Sequence, residues 1–260
     1  MLYSPLVSRM KLPSSIPDVR ISHIMYRSGD VLVSGYLARP AAQGKYPGLI
    51  YCRGGIHRVG MVQLGWIEHM AACGFVVCAP SYRGNEGGEG QDEFGGIDRQ
   101  DVYEALQLLS TLPYVDANRM GAIGFSRGAV GAFLAAAETE RIGALVSWGG
   151  VVDLHLTYEE REDLRRMLKR VIGHPVKDAH AYMERSALYR AGEITCPVLF
   201  IQGGQDEQVS SRHAAYLSDR LEQLGKPYEA WHFHKYGHHF PDAIHYSTLS
   251  DACAWLKERI

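Results

Sequence analysis

Six short apolar runs, each followed by a stretch long enough for a helix, constrain this chain more than any other feature. They are Gly48–Cys52, Phe75–Ala79, Met120–Phe125, Ala144–Trp148, Val198–Gln202 and Tyr228–His234. Runs that are apolar along most of their length, without alternation, suit strands buried on both faces. The intervening stretches at Val62–Cys73, Ile97–Leu112, Arg127–Glu138, roughly 210–224 and 242–259 read as helices. Strand and helix in alternation predict a parallel sheet with helices on both faces. Ahead of them, Val19–Arg27 and Val31–Arg39 flank Ser28-Gly29-Asp30 and read as an antiparallel hairpin. The expectation is an α/β fold with about eight strands in a mostly parallel sheet, built by residues 1–260 as one domain. Residues 1–18 are read as an N-terminal extension. Residues 153–192 interrupt the alternation, and Glu159–Arg170 alone carries nine charges. That stretch reads either as a solvated amphipathic helix or as a small helical lid insert over a site.

Composition removes several functions. With 260 residues, 46% of them hydrophobic, the chain can build a large core without staples. Its 27 Lys and Arg against 29 Asp and Glu show neither a basic excess nor a stripe, so no nucleic-acid partner is expected. No apolar run approaches the roughly 20 residues that span a bilayer, so no membrane partner is expected either. Residues 1–18 are interrupted by Pro5, Arg9, Lys11, Pro13 and Pro17 and hold no secretory core. The five cysteines at 52, 73, 78, 196 and 253 form an odd set without a CxxC pair, which reads as reduced thiols. The chain is therefore expected in the cytoplasm, with room left for a homo-oligomer.

Chemistry concentrates at Gly124-Phe125-Ser126-Arg127-Gly128, a G-x-S-x-G sequence with a strand before it and a helix after it. This is the setting of a nucleophile elbow, a strained turn that lifts a serine hydroxyl above a sheet edge. A serine needs a base to take its proton and a carboxylate to orient that base. Open α/β sheets place such groups just past the carboxyl ends of later strands. Val198–Gln202 ends at Gly203-Gly204-Gln205-Asp206, and Tyr228–His234 is followed by Lys235-Tyr236-Gly237-His238-His239. The order Ser126, Asp206, His238 is that of α/β-hydrolases. Asp153 is the alternative acid.

The chain resembles the catalytic α/β-hydrolase domain of the prolyl oligopeptidase family, including stand-alone members, over roughly residues 30–259. Besides the elbow, Ser81-Tyr82-Arg83-Gly84-Asn85-Glu86-Gly87 is similar to the family's segment after the fourth strand. Pro197–Val209 resembles its acid segment, and Gly237-His238-His239-Phe240 its G-H-G-F. The resemblance implies His238 as base, with His239 where the family carries glycine. Arg53-Gly54-Gly55 stands where the family has H-G-G. It implies an oxyanion hole from the backbone N–H groups of Arg127 and Gly55, with Ile56 as the neighbouring alternative. The Arg53 side chain either binds substrate or braces the loop. Arg83 and Asp101 resemble a structural pair of these folds. Gly84–Gly96 holds six glycines, and its Glu86, Glu89, Asp92 and Glu93 read as solvated loop charges or as an attraction for a cationic substrate.

His232, His234, His238 and His239 invite a metal reading, but no cysteine or carboxylate cluster accompanies them, so no metal and no cofactor are expected. Cys52, Cys78 and Cys196 read as inert core residues. The expectation is a serine hydrolase acting by acyl transfer on a small-molecule ester or short peptide. A non-catalytic binding protein of α/β-hydrolase fold is the alternative.

Overall fold

The computed structural model describes residues 5–260. Its sheet has nine strands: β1 Leu6–Leu12, β2 Val19–Ser28, β3 Val31–Pro40, β4 Tyr46–Cys52, β5 Val76–Pro80, β6 Val115–Phe125, β7 Ala144–Trp148, β8 Val198–Gly203 and β9 Tyr228–Phe233. Their spatial order is β1-β2-β3-β5-β4-β6-β7-β8-β9. β1 to β3 and the β3–β5 pairing are antiparallel, and every pairing from β5 through β4 to β9 is parallel. The mostly parallel α/β-hydrolase sheet is as expected, with one more strand. That strand is β1, inside the stretch read as an extension. It is an edge strand with five of its seven residues exposed, so it lacks the apolar signature that marks the central strands.

Two helical layers cover the sheet. The helices α2 Arg99–Thr111, α3 Gly128–Glu138 and α7 Ser211–Gln223 bury Leu106, Phe133 and Leu217 in one cluster. On the other face α1 Leu64–Ala72 and α8 Asp242–Lys257 bury Met70, Leu249 and Leu256. β5 is fully buried along its length, as are β7 and β8. This explains why the central strands read as unbroken apolar runs.

Residues 154–193 hold several short helical pieces, not the single amphipathic helix that was one of the two readings. They form α4 Leu154–Glu160, a 3₁₀ turn Glu162–Leu164, α5 Arg165–Val171, α6 Ala179–Glu184 and a second 3₁₀ turn Ala187–Glu193. Arg161 breaks the helix with φ −109° and ψ 80°. The pieces share a third apolar cluster, in which Leu154, Leu168 and Tyr182 pack with Phe94, Val130 and Val209. The stretch is therefore anchored at the carboxyl edge of the sheet. Along the chain β4 is followed by β5 on one side and β6 on the other, so the sheet's winding reverses at β4 and β6. The loops after these strands form the crevice where open α/β sheets place their sites. Among the described residues no helix is long and apolar enough to cross a membrane.

Candidate active site

Ser126 sits between β6 and α3 with φ +57°, in the left-handed region that a non-glycine residue enters at a cost. The turn is held from both sides. The Ser126 N–H donates to the carbonyl of Trp148 on β7 (2.9 Å), and its own carbonyl accepts from Ala129 and Val151 (both 3.1 Å). The two glycines of the motif have separate reasons. A Cβ on Gly124 would lie 2.5 Å from the Ala129 Cα, and one on Gly128 would lie 1.9 Å from the Cys52 carbonyl oxygen. Helix α3 starts this close to β4 and β6 only because both positions lack a side chain.

Asp206 and His238 follow β8 and β9. The His238 Nδ1 lies 2.7 Å from Asp206 Oδ2, with both side chains buried. The other carboxylate oxygen accepts the N–H groups of Gln208 and Val209 (both 2.9 Å), so the carboxylate is held at both ends. Its partner is His238 and not His239, whose ring packs on Phe125 at 5.4 Å and whose pKa is lowered by burial and the nearby His238. Asp153 lies elsewhere, capping α4 through the His155 N–H. Gly149, which carries no sequence motif beyond the Gly-Gly pair after β7, makes the approach possible. It adopts φ +49°, and a Cβ there would stand 3.2 Å from Asp206 Oδ2 and from His238 Nδ1.

Ser126, His238 and His239 open onto one cavity of about 250 Å³. Its floor holds Tyr51, Trp66 and Phe125. One wall is the loop Gly54–Met61, and the opposite wall takes Thr157, Arg161, Leu164 and Met167 from the helical stretch. Gly54 and Gly55 pass beside Ser126, and a Cβ on Gly54 would sit 3.0 Å from the Ser126 Cβ. Gly55 has φ +65°. Among the described residues, the backbone N–H groups of Gly55, Ile56 and Arg127 donate to no backbone carbonyl across the loops of this region. Polarised N–H groups left unpaired beside a serine suit an oxyanion better than they suit a neutral cavity.

The structure decides between the readings of the charged residues around the site. Arg53 is fully buried and braces the loop: its guanidinium donates to the carbonyls of Gly54 (3.0 Å), His57 (3.3 Å), Val59 (3.2 Å) and Ser81 (2.8 Å). Asp92 is not a solvated loop charge. It is buried and pairs with both guanidinium nitrogens of Arg127, which also meets Asp98 at 2.6 Å. Burial opposes the Arg127 charge, but Asp92 and Asp98 outweigh it and hold the pKa above the ordinary arginine value. Glu86 and Glu89 are exposed, as solvated loop charges should be, while accepting from Tyr36 and Ser81 and from the Leu32 N–H, and half-buried Glu93 accepts the Ile97 N–H. Arg83 and Asp101 form the buried pair read from sequence, at 2.7 Å. Burial pushes the thiols of Cys52 and Cys78 up to about 12 and that of Cys196 up to about 11, so they are protonated and unreactive at neutral pH. Among the described residues no three His, Cys, Asp or Glu side chains gather to hold a metal ion.

The sheet, the crossover helices and a serine on a strained strand–helix turn define a protein of α/β-hydrolase fold. Comparison with known proteins narrows this further. The family model of the prolyl oligopeptidase family matches residues 63–260, and the chain belongs to that family. Over 98% of its length the chain is 44% identical to the uncharacterized peptidase YtmA of Bacillus subtilis, all of which is covered. The uncomplexed acylaminoacyl peptidase of Pyrococcus horikoshii superposes with a TM-score of 0.80 over 94% of this chain at 21% identity, and the chain spans 41% of its length. Acetyl xylan esterase 1 of Thermoanaerobacterium superposes with a TM-score of 0.74 over 96% of this chain and 87% of its own, at 16% identity, a likeness of fold alone. The protein is a serine hydrolase, which sets aside the reading as a non-catalytic binding protein.

Proposed function

We propose that Ser126, His238 and Asp206 form a catalytic triad that hydrolyses short peptides or small esters bearing an apolar acyl group. The observation that carries this is the strained Ser126 sharing one apolar cavity with an Asp206-bound histidine. The Ser126 hydroxyl attacks the substrate carbonyl while His238 Nε2 takes its proton, and Asp206 stabilises the resulting imidazolium through Nδ1–H. The carbonyl oxygen becomes an oxyanion received by the N–H groups of Arg127 and Gly55, with that of Ile56 adjoining. His238 returns the proton to the leaving amine or alcohol. Water, deprotonated by the same histidine, then cleaves the acyl-enzyme and restores Ser126.

Tyr51, Trp66, Phe125 and Met167 make the cavity fit an aliphatic or aromatic group, and no carboxylate lines it. The names of the relatives divide between peptidases and esterases, and the chemistry serves both. A fluorophosphonate probe is expected to label Ser126 in the wild type and not in Ser126→Ala. p-Nitrophenyl esters and aminoacyl p-nitroanilides with graded acyl groups then read the substrate class, with apolar groups favoured over charged ones by about tenfold or more. Unlabelled Ser126 would overturn the triad, and equal rates for apolar and charged acyl groups would overturn the pocket assignment.

A further inference from the structure

We propose that Arg53, Arg127 and Asp92 form a buried brace that aims the oxyanion-hole N–H groups, with Asp92 as the positioning residue that joins the two arginines. The inference rests on Ser126 being the nucleophile. A trans peptide is planar, so its C=O and N–H point in opposite directions, and holding one end directs the other. Arg53 Nη1 donates to the carbonyl of Gly54 (3.0 Å), which belongs to the same peptide unit as the Gly55 N–H. Arg127 Nη1 donates to the carbonyl of Gly55 (3.3 Å), which belongs to the same unit as the Ile56 N–H. Both candidate donors are therefore gripped from behind, by side chains that are themselves buried.

Asp92 binds Arg127 with both oxygens, at 2.5 Å and 3.2 Å, and its Oδ2 lies 3.9 Å from Arg53 Nη2. Asp98 takes the second Arg127 contact and is itself fixed by the Gly95 N–H. The Arg127 guanidinium also lies over the Tyr82 and Phe94 rings, at 4.3 Å and 4.9 Å from their centroids. Two guanidinium groups facing two carboxylates leave no net charge, so the cluster can be buried beside the reacting centre without imposing a field of one sign. Stability alone gives weak grounds for such a cluster, because apolar packing of similar volume generally serves as well. Direction is what it adds: a glycine-rich loop has no side chains of its own to fix its peptides, and oxyanion stabilisation depends on donors aimed before charge develops.

The test uses Asp92→Asn, which keeps the shape and removes the charge, and Arg127→Lys, which keeps the charge and loses the fork. Each is assayed well below its melting midpoint on a matched pair of substrates, an ester and its thionoester, in which sulfur replaces the carbonyl oxygen. Loss of a whole oxyanion donor costs roughly 10²–10³-fold in kcat. Misaimed donors are expected to cost about 10- to 100-fold, with KM within about threefold. The ester-to-thionoester rate ratio is expected to fall by about tenfold in both variants, since sulfur accepts N–H bonds poorly and the wild type alone exploits the difference. The pH profile of kcat/KM is expected to keep its midpoint, because the Asp206–His238 pair is untouched. Variants that melt earlier yet keep both kcat and the rate ratio would overturn the brace and leave it a matter of stability. If Asp92→Asn does not fold, Arg127→Lys decides on the same ratio. Failure of the triad reading shows separately, as wild-type protein that the fluorophosphonate does not label.

Discussion

The two sides of the cavity are held in place by different means. The floor around Ser126 is set by backbone: a residue at φ +57°, glycines at 124 and 128 with no room for a Cβ and at 54 and 149 with only tight room for one, and buried ions that tie one loop to the next. The facing wall of Thr157, Arg161, Leu164 and Met167 is set by side-chain packing of short helices on an apolar cluster. Backbone placed in this way has no small adjustments available, whereas packed side chains can be exchanged one at a time. Changes in the floor should therefore strike turnover, and changes in the wall should strike substrate preference.

The steepest break in that contrast is expected at Asp206. Asp206→Ala should lower kcat on a p-nitrophenyl ester by on the order of 10⁴-fold, because His238 loses both its orientation and the partner of its imidazolium. Calorimetry should find the fold intact, and a loss below about tenfold would move the acid elsewhere. Gly149→Ala comes next. The added Cβ enters the space beside the Asp206–His238 bond and must adopt a left-handed backbone, at a cost of about 1–2 kcal/mol. Turnover should fall by about 10- to 100-fold with little change in KM, the size that follows when a catalytic group shifts by about an ångström. The smallest effect belongs to the wall. Met167→Ala should leave kcat for acetyl esters unchanged and lower kcat/KM for longer apolar acyl groups by about 3- to 10-fold, as a few lost methylene contacts do. A Met167→Ala variant that lost turnover on acetyl esters would erase the distinction between wall and floor.

The floor was also the more legible of the two. Gly124, Ser126 and Gly128 lie within five residues of each other, so a local turn explains their spacing, and Asp206 and His238 announce themselves by standing just after strands. Arg83 and Asp101 were readable as a structural pair for the same reason, since each lies in a recognisable segment. Asp92 was not. It stands among glycines and other acids, and nothing within the loop indicates that it folds under Arg127, a residue 35 positions away. Gly149 has the same difficulty, because its reason is a contact with residues 206 and 238. In the insert the helix breaks at Arg161, where the guanidinium pairs with Asp163 at 2.7 Å and Nη1 donates to the Gln208 carbonyl at 3.0 Å. Such a contact leaves no trace in the helical spacing of residues. β1 was missed because an exposed edge strand need not carry an apolar pattern.

Local pattern was enough to establish the parallel sheet, the crossover helices, the elbow and the order in which serine, aspartate and histidine occur. These follow from burial, from strand and helix periods and from the steric needs of one turn, all of which act between residues close in the chain. What Arg53 does and where the charges of the Gly84–Gly96 loop lie were decided only by the tertiary structure. They depend on bringing the ends of four strands into one plane, and an ion or a hydrogen-bond donor is satisfied by whichever partner that folding delivers within about 3 Å.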